Sequence, residues 1–416
     1  MNDNEEPKVD EEFSFLQETI KKEPVNKKKV ANKIITIGLL GLLFGVFASL
    51  GFFAVKPWAE SHFKANPTTV TIPDDEVTTD SNTTTEEPAV PVLDVTSYRE
   101  LYSGLYQVAS GAAKSVVSVK GIKSDDGWIE KDFDTENSVS GVIVYDNGQE
   151  LLILTENTIL KDAQKLIVTF ADGSNYDAAL KKKENNLGLA IISVARSAIT
   201  DTTWSQIQVA TLGNSNTVSR GNPIIVIGNP FGYAKGLGYG VVSSSANEIS
   251  FLDGDYGIIS TDIAAAANGT GVLINLSGEV IGLMSQKASG GDNMNLVTGM
   301  AISGLKNTIE LLSNGKGVPY IGIRGTDITE TIASAQGLPQ GIYVKETATD
   351  SPGMVAGIQR GDIINKVDSK KVSTFAAFHS ALMGYNVGDE IKISGQRLGG
   401  NGYVDIDFTV TVGSLE

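Results

Sequence analysis

From residue 98 to residue 313 the chain alternates short apolar runs with Gly, Asn and Asp punctuation: SVVSVKGI, SGVIVYDNG, ELLILT, KLIVTFADG, LAIISV, NPIIVIGNPFG, GVVSSS, GIISTD, GVLINLSGEVIGL and GMAIS. Runs of this kind, bounded by turn formers and closely spaced, predict a mostly β fold, either a sandwich or a pair of barrels. Helices are predicted over residues 97–113 and 303–312. A second block, residues 317–413, contains VPYIGIRG, LPQGIYVKETATDSPGMVAGIQRGDIINKVDSKKV and STFAAFHSALMGYNVGDEIKISGQRLG. A helix beginning near Ser373 carries Phe375, Phe378 and Leu382 at i, i+3 and i+7, and the plain reading of that stripe is core.

A different pattern precedes these blocks. Residues 34–55, IITIGLLGLLFGVFASLGFFAV, contain no charge. At about 1.5 Å per residue such a run reaches roughly 33 Å, enough for a hydrocarbon core of about 30 Å. A cleaved signal peptide has a shorter apolar region and starts close to the N-terminus. Here a polar tail comes first, so a retained transmembrane helix is expected. Lys27, Lys28, Lys29 and Lys33 lie before the run and Lys56 follows it. That asymmetry places residues 1–33 in the cytoplasm as a disordered tail and everything downstream outside. Residues 56–97 read as an extracytoplasmic linker: between residues 65 and 94 the chain is rich in Thr, Pro, Asp and Glu and has no Lys or Arg. Such a segment buries too little apolar surface to fold, and its like charges extend it.

Composition narrows the chemistry. The 416 residues carry a formal net charge of -16, which argues against a nucleic-acid partner, because counterion release needs clustered Lys and Arg. There is no cysteine, which removes disulfides, thiolate metal sites and a cysteine nucleophile together. No cofactor and no metal site are expected. The two histidines are His62 and His379.

The order SGVIVYDNGQELLILTENTIL, LGLAIISV, IGNPFG and STDIAAAANGTGVLINLSGEVIGL resembles the HtrA/Deg family of trypsin-like serine proteases. The second block, above all SPGMVAGIQRGDIINKVD, resembles a PDZ domain. The resemblance implies a trypsin-like double β-barrel over residues 98–313 and a PDZ-like α/β domain over residues 317–413. The preceding anchor matches membrane-bound members of the family, and the absence of cysteine fits a bacterial surface protein that does without disulfides. It also implies three catalytic positions, and each departs from the family's pattern. The segment holding the catalytic His is LTENTIL, with Thr158 in that place. The segment holding the Asp is GLAIISV, with Gly188 there. The nucleophile segment is NGTGVLI, one residue shorter, with Gly269 at the serine and Thr270 as the nearest hydroxyl.

A hydroxyl needs an adjacent base to become a nucleophile at neutral pH. His62 lies just after the apolar run and His379 lies in the second block, so no Ser-His pair is available within residues 98–313. Ser-Lys and N-terminal threonine arrangements have no supporting motif. AAAANG replaces the usual lead-in to the serine, which predicts a reshaped oxyanion turn. The plain reading of Gly269 and Thr270 is that they close a turn. The functional one is that the old cleft still binds an extended chain at a strand edge.

In the second block, Tyr320, Ile321, Gly322 and Ile323 match the PDZ carboxylate-binding loop. Consecutive N–H groups there would form a nest for a terminal carboxylate, with the peptide adding as a strand. Phe375, Phe378, His379 and Leu382 are candidates for the opposite wall. The expected function is that of a membrane-anchored pseudoprotease, a scaffold or sensor in surface protein quality control that binds C-termini or extended segments. An active serine endopeptidase with rearranged residues is the alternative, and a homotrimer hub is a third reading that the resemblance implies.

Overall fold

The computed structural model describes residues 35–50, 94–122, 138–285 and 295–416. The chain divides into two units, residues 1–90 and 91–416. In the first unit a helix, α1, covers residues 35–50, and its apolar side chains, Phe44 and Phe47 among them, are exposed. Among the described residues no helix is long and apolar enough to cross a membrane. The span expected over residues 34–55 lies partly outside the described residues. The tail of residues 1–33 lies wholly outside them, as does residue 56–93 of the expected linker.

The second unit opens with α2 (Val95–Ala112), whose N-terminus is capped by the Asp94 side chain accepting from the Ser97 N–H. This cap satisfies one of the N–H groups that a helix start leaves unpaired. Ala109 and Ala112, the helix's buried residues, deliver the chain into the first barrel. That barrel consists of β1 (Val116–Ile122), β2 (Ser138–Asp146), β3 (Glu150–Glu156), β4 (Lys165–Thr169), β5 (Asn175–Glu184) and β6 (Leu189–Ala195). It closes in the order β1-β2-β3-β6-β5-β4. The short helix α3 (Asp201–Trp204) follows, and then a second barrel of β7 (Pro223–Asn229), β8 (Gly236–Phe251), β9 (Gly254–Ala264), β10 (Thr270–Ile274), β11 (Val280–Met284) and β12 (Leu296–Ala301). It closes as β10-β11-β12-β9-β8-β7. Helix α4 (Ile302–Ser313) ends this region and buries Ile302, Leu305, Ile309 and Leu312 along one stripe.

The near-continuous apolar runs have a simple cause. Side chains alternate faces along a strand, and both faces are covered. In β3, Leu151 and Ile153 fill the first barrel while Leu152 and Leu154 join a cluster spanning both barrels. In β7, Ile224 and Val226 fill the second barrel while Ile225 and Ile227 join the same shared cluster. The two barrels therefore sit on a common apolar seam.

Beyond it lies a sheet of β13 (Ile323–Ile328), β14 (Gly341–Thr347), β15 (Ile363–Val367), β16 (Lys370–Lys371), β17 (Glu390–Gly399) and β18 (Gly402–Thr411). Its order is β13-β14-β15-β17-β18, with β16 paired to β15. Helices α5 (Glu330–Gln336), α6 (Pro352–Val355) and α7 (Phe375–Leu382) accompany it. The Asp362 carboxylate, buried, is held by Arg397 through Nε at 2.6 Å and Nη2 at 2.8 Å, a bidentate pair that locks β15 to β17. Tyr320 and Gly413 exchange both backbone hydrogen bonds at 2.9 Å, so this domain's entry and exit lie side by side.

Candidate functional site

The positions implied as catalytic fall at strand ends beside the seam. Thr158 sits in a single helical turn after β3, and its hydroxyl faces Glu156 Oε2 at 3.4 Å. Gly188, with φ +80°, forms the turn into β6, and its carbonyl accepts from Asn157 N–H at 2.8 Å. Neither residue carries an acid or base at its place.

The nucleophile segment is packed shut. Ala266 N–H donates to the Pro230 carbonyl at 2.8 Å, and Gly269 N–H donates to the Ala266 carbonyl at 2.9 Å. The donor expected to stabilise an oxyanion is thereby committed to a turn within its own loop. A Cβ on Gly269 would strike the Pro230 carbonyl oxygen and the Met284 methyl. Thr270 is 4% exposed, at the start of β10. Its Oγ1 accepts from Ser140 N–H at 2.8 Å and donates to Ser140 Oγ at 3.2 Å. Ser140 Oγ in turn donates to the Thr270 carbonyl and accepts from Asn229 N–H at 2.9 Å. The nearest hydroxyl to the serine position is thus part of a knot joining β2, β7 and β10. Among the described residues no histidine contact reaches it, since His379 is engaged elsewhere; His62 lies outside the described residues.

The loop before β13 has the geometry of an anion nest, and a carboxylate is in it. Asp253, in the turn between β8 and β9, is buried. Its Oδ2 accepts from Ile321 N–H and Gly322 N–H at 2.8 Å each, and its Oδ1 accepts from Ile323 N–H at 2.9 Å. The Asp253 N–H returns to the Ile323 carbonyl at 2.7 Å. Burial pushes the Asp253 carboxyl up to about 6, while the three backbone donors pull it down. Asp253 adopts φ +62°, a left-handed conformation that Asp tolerates better than most residues.

The other predicted groove residues divide. Tyr320 is buried and paired with Gly413. Gly322 has φ +84°, and a Cβ there would strike the Ser351 side chain and the Tyr320 hydroxyl, so the loop's own packing demands glycine. Phe375, Phe378 and Leu382, considered above as wall candidates, are buried in the domain core with Ile321 and Ile323. His379 faces the β8–β9 turn: its Nδ1 lies 2.9 Å from the Asp253 carbonyl and its ring meets Tyr256 edge-on. Burial lowers the His379 pKa and raises that of Tyr256.

Sequence reasoning missed Asp253. FLDGDYG reads as an ordinary Asp-Gly hairpin turn, and nothing in those residues separates a solvent-facing turn aspartate from one seated in another domain's loop. Among the described residues no cluster of three or more potential ligands is arranged to hold a metal ion.

Comparison with known proteins gives two domain matches: a trypsin-like peptidase domain over residues 139–283 and a PDZ domain over residues 319–411. A Lactobacillus helveticus protein, "Serine protease Do-like HtrA", is 30% identical over 67% of this chain and 68% of its own length. The Escherichia coli "Periplasmic pH-dependent serine endoprotease DegQ" is 29% identical, but the chain spans only 56% of its length. Two solved structures of the HtrA-type protease AlgW, one with a tripeptide and one with a decapeptide, superpose with a TM-score of 0.53. They cover 75% and 74% of this chain at 23% and 21% identity, a likeness of fold.

Proposed function

Since the chain belongs to the HtrA/Deg family of PDZ-containing trypsin-like serine proteases, we propose that it is a member that binds proteins without cutting them. The observation that carries this reading is the state of the nucleophile loop. Gly269 N–H is bonded to Ala266, and the Thr270 hydroxyl is bonded into the Ser140 knot. Acyl transfer needs a nucleophile, a base beside it and a pair of donors aimed at the developing oxyanion. Here the three family positions hold Thr158, Gly188 and Gly269. Losing the nucleophile or the histidine alone costs about a million-fold in turnover in a serine protease.

Binding falls to the PDZ domain. Three successive N–H groups at Ile321, Gly322 and Ile323 converge on one anion, which suits the terminal carboxylate of a protein added as a strand along the domain. The protein would act as a scaffold or sensor for C-termini or extended segments in surface protein quality control. Its apolar residues 34–55 and the lysines before them support a single-pass anchor with residues 1–33 cytoplasmic and both folded domains outside the cell membrane. Assembly into a homotrimer hub stands as a third, separate reading, drawn by analogy with the family.

The test is hydrolysis of unfolded casein by the full-length protein, with fluorophosphonate labelling alongside. No cleavage above a Thr270→Ala control and no labelled Ser or Thr are expected. Specific labelling of any residue between 98 and 313 would favour an active endopeptidase with rearranged catalytic residues.

A further inference from the structure

We infer that Asp253 is a built-in occupant of the PDZ carboxylate loop, so that the protein's own β8–β9 turn competes with peptide C-termini for the site. This rests on the reading of that loop as a C-terminus receptor.

The geometry is that of a ligand's last residue in two respects at once. The carboxylate takes the Ile321, Gly322 and Ile323 N–H groups, and the backbone N–H of the same aspartate donates to the Ile323 carbonyl. A terminal residue added as a strand needs both contacts, one from its charge and one from its amide. Here the charge comes from a side chain and the main chain continues past it. A peptide carboxylate and the Asp253 carboxylate cannot share three donors, because two like charges would have to occupy one buried nest.

Neighbouring contacts hold the turn in place. Leu252 exchanges hydrogen bonds with the Asn186 side chain at 2.8 and 3.2 Å. The Asp253 carbonyl meets His379 Nδ1, and Arg324 Nη1 donates to the Ser250 carbonyl at 2.6 Å. Gly254 lies so close to His379 that a Cβ there would strike the imidazole. The other loop carbonyls are satisfied within the PDZ domain, Ile321 by Gly353 N–H and Gly322 by Ala348 N–H, each at 2.8 Å. Withdrawing the turn therefore frees the three N–H groups and the Ile323 carbonyl without dismantling the loop.

The experiment compares full-length wild type with Asp253→Asn and Asp253→Gly, two residues that accept the left-handed backbone of this position. Amide hydrogen exchange at Ile321, Gly322 and Ile323 reports the docking itself. It should quicken by roughly tenfold or more in both variants while protection across β14, β15 and β17 is kept. Fluorescence polarisation with a labelled peptide ending in a free-carboxylate valine, and with its amidated twin, reports the competition. The acid peptide should bind both variants about tenfold or more tightly than wild type, and the amide should show no such gain. Unchanged exchange in both variants overturns the proposal. Quickened exchange with equal binding of acid and amide peptides overturns the competition and shows that the C-terminus reading of the groove was the part at fault.

Discussion

Ser140 and Thr270 hold each other across the seam between the barrels: the Ser140 N–H donates to Thr270 Oγ1 and the Ser140 hydroxyl donates to the Thr270 carbonyl. Thr155 adds a third strand by donating to the Ser140 carbonyl at 3.1 Å. The hydroxyl nearest the place where the family's pattern puts a serine is, in this chain, part of a structural fastening. Thr270→Val keeps the shape and removes the acceptor, leaving a buried N–H unpaired. It should lower stability by about 1–3 kcal/mol, read by thermal or denaturant unfolding, whereas Thr270→Ser should recover much of it. A valine variant as stable as wild type would mean that the hydroxyl contributes nothing.

Rebuilding the catalytic positions by substitution alone should fail. In Thr158→His, Gly188→Asp, Gly269→Ser, the serine Cβ meets the Pro230 carbonyl oxygen, and the Gly188 position has φ +80°. Overpacking of this kind costs about 1–3 kcal/mol. The triple variant should melt lower and still leave casein intact. Robust cleavage would show that the loop opens more readily than its hydrogen bonds indicate.

The docked turn should respond to pH through two groups of opposite sign. Burial raises Asp253 from 3.8 to about 6, so a proton-linked part of the docking is fully present below about 3.8 and is lost as pH rises through about 6, above which the ionised carboxylate still accepts from the three N–H groups. Burial depresses His379 below 6.5, so its contribution is present above 6.5 and is lost as pH falls through the lowered value. Tyr256 and Tyr320, also beside Asp253, are raised above 10.0 and do not titrate in this range. Asp255 acts on His379, and Arg324 is paired with Glu346 at 3.5 Å. With His379→Gln, protection of the Ile321 to Ile323 amides, corrected for intrinsic exchange, should fall as pH rises from about 4 to about 6. With Asp253→Asn, whatever protection remains should fall on acidification below 6.5. The opposite trends would contradict a shared burial of the two groups.

The membrane reading predicts a clear topology. Protease added to intact cells should remove both folded domains, while a tag at the N-terminus stays protected. Release of the whole protein by high salt, or digestion of the N-terminal tag, would overturn the anchor and its orientation.

Strand content and domain order were legible because burial on both faces leaves a loud signal. ELLILT and NPIIVIGN are strands whose alternate residues serve two different cores. The helices predicted over residues 97–113 and 303–312 are observed as Val95–Ala112 and Ile302–Ser313. What the residues could not disclose were contacts made between distant segments. The Phe375, Phe378 and Leu382 stripe has the same spacing whether it lines a groove or fills a core, and it fills the core. Asp253 sits 68 positions before Ile321, in a turn whose local chemistry is complete without a partner. Ser140 and Thr270 are 130 positions apart, and neither hydroxyl stands out from the chain's many others.

Because Asp253 and its loop belong to one chain, their encounter is set by the tether and does not weaken on dilution. A free peptide has no such advantage: its apparent dissociation constant is its intrinsic one divided by the fraction of molecules with the turn withdrawn. If that fraction were about one in a hundred, a micromolar terminus would behave as one of about 100 micromolar. Scarce termini would then go unread, and the groove would register only partners that are abundant or crowded against the surface beside it. A single aspartate would in this way set the density at which the protein begins to listen.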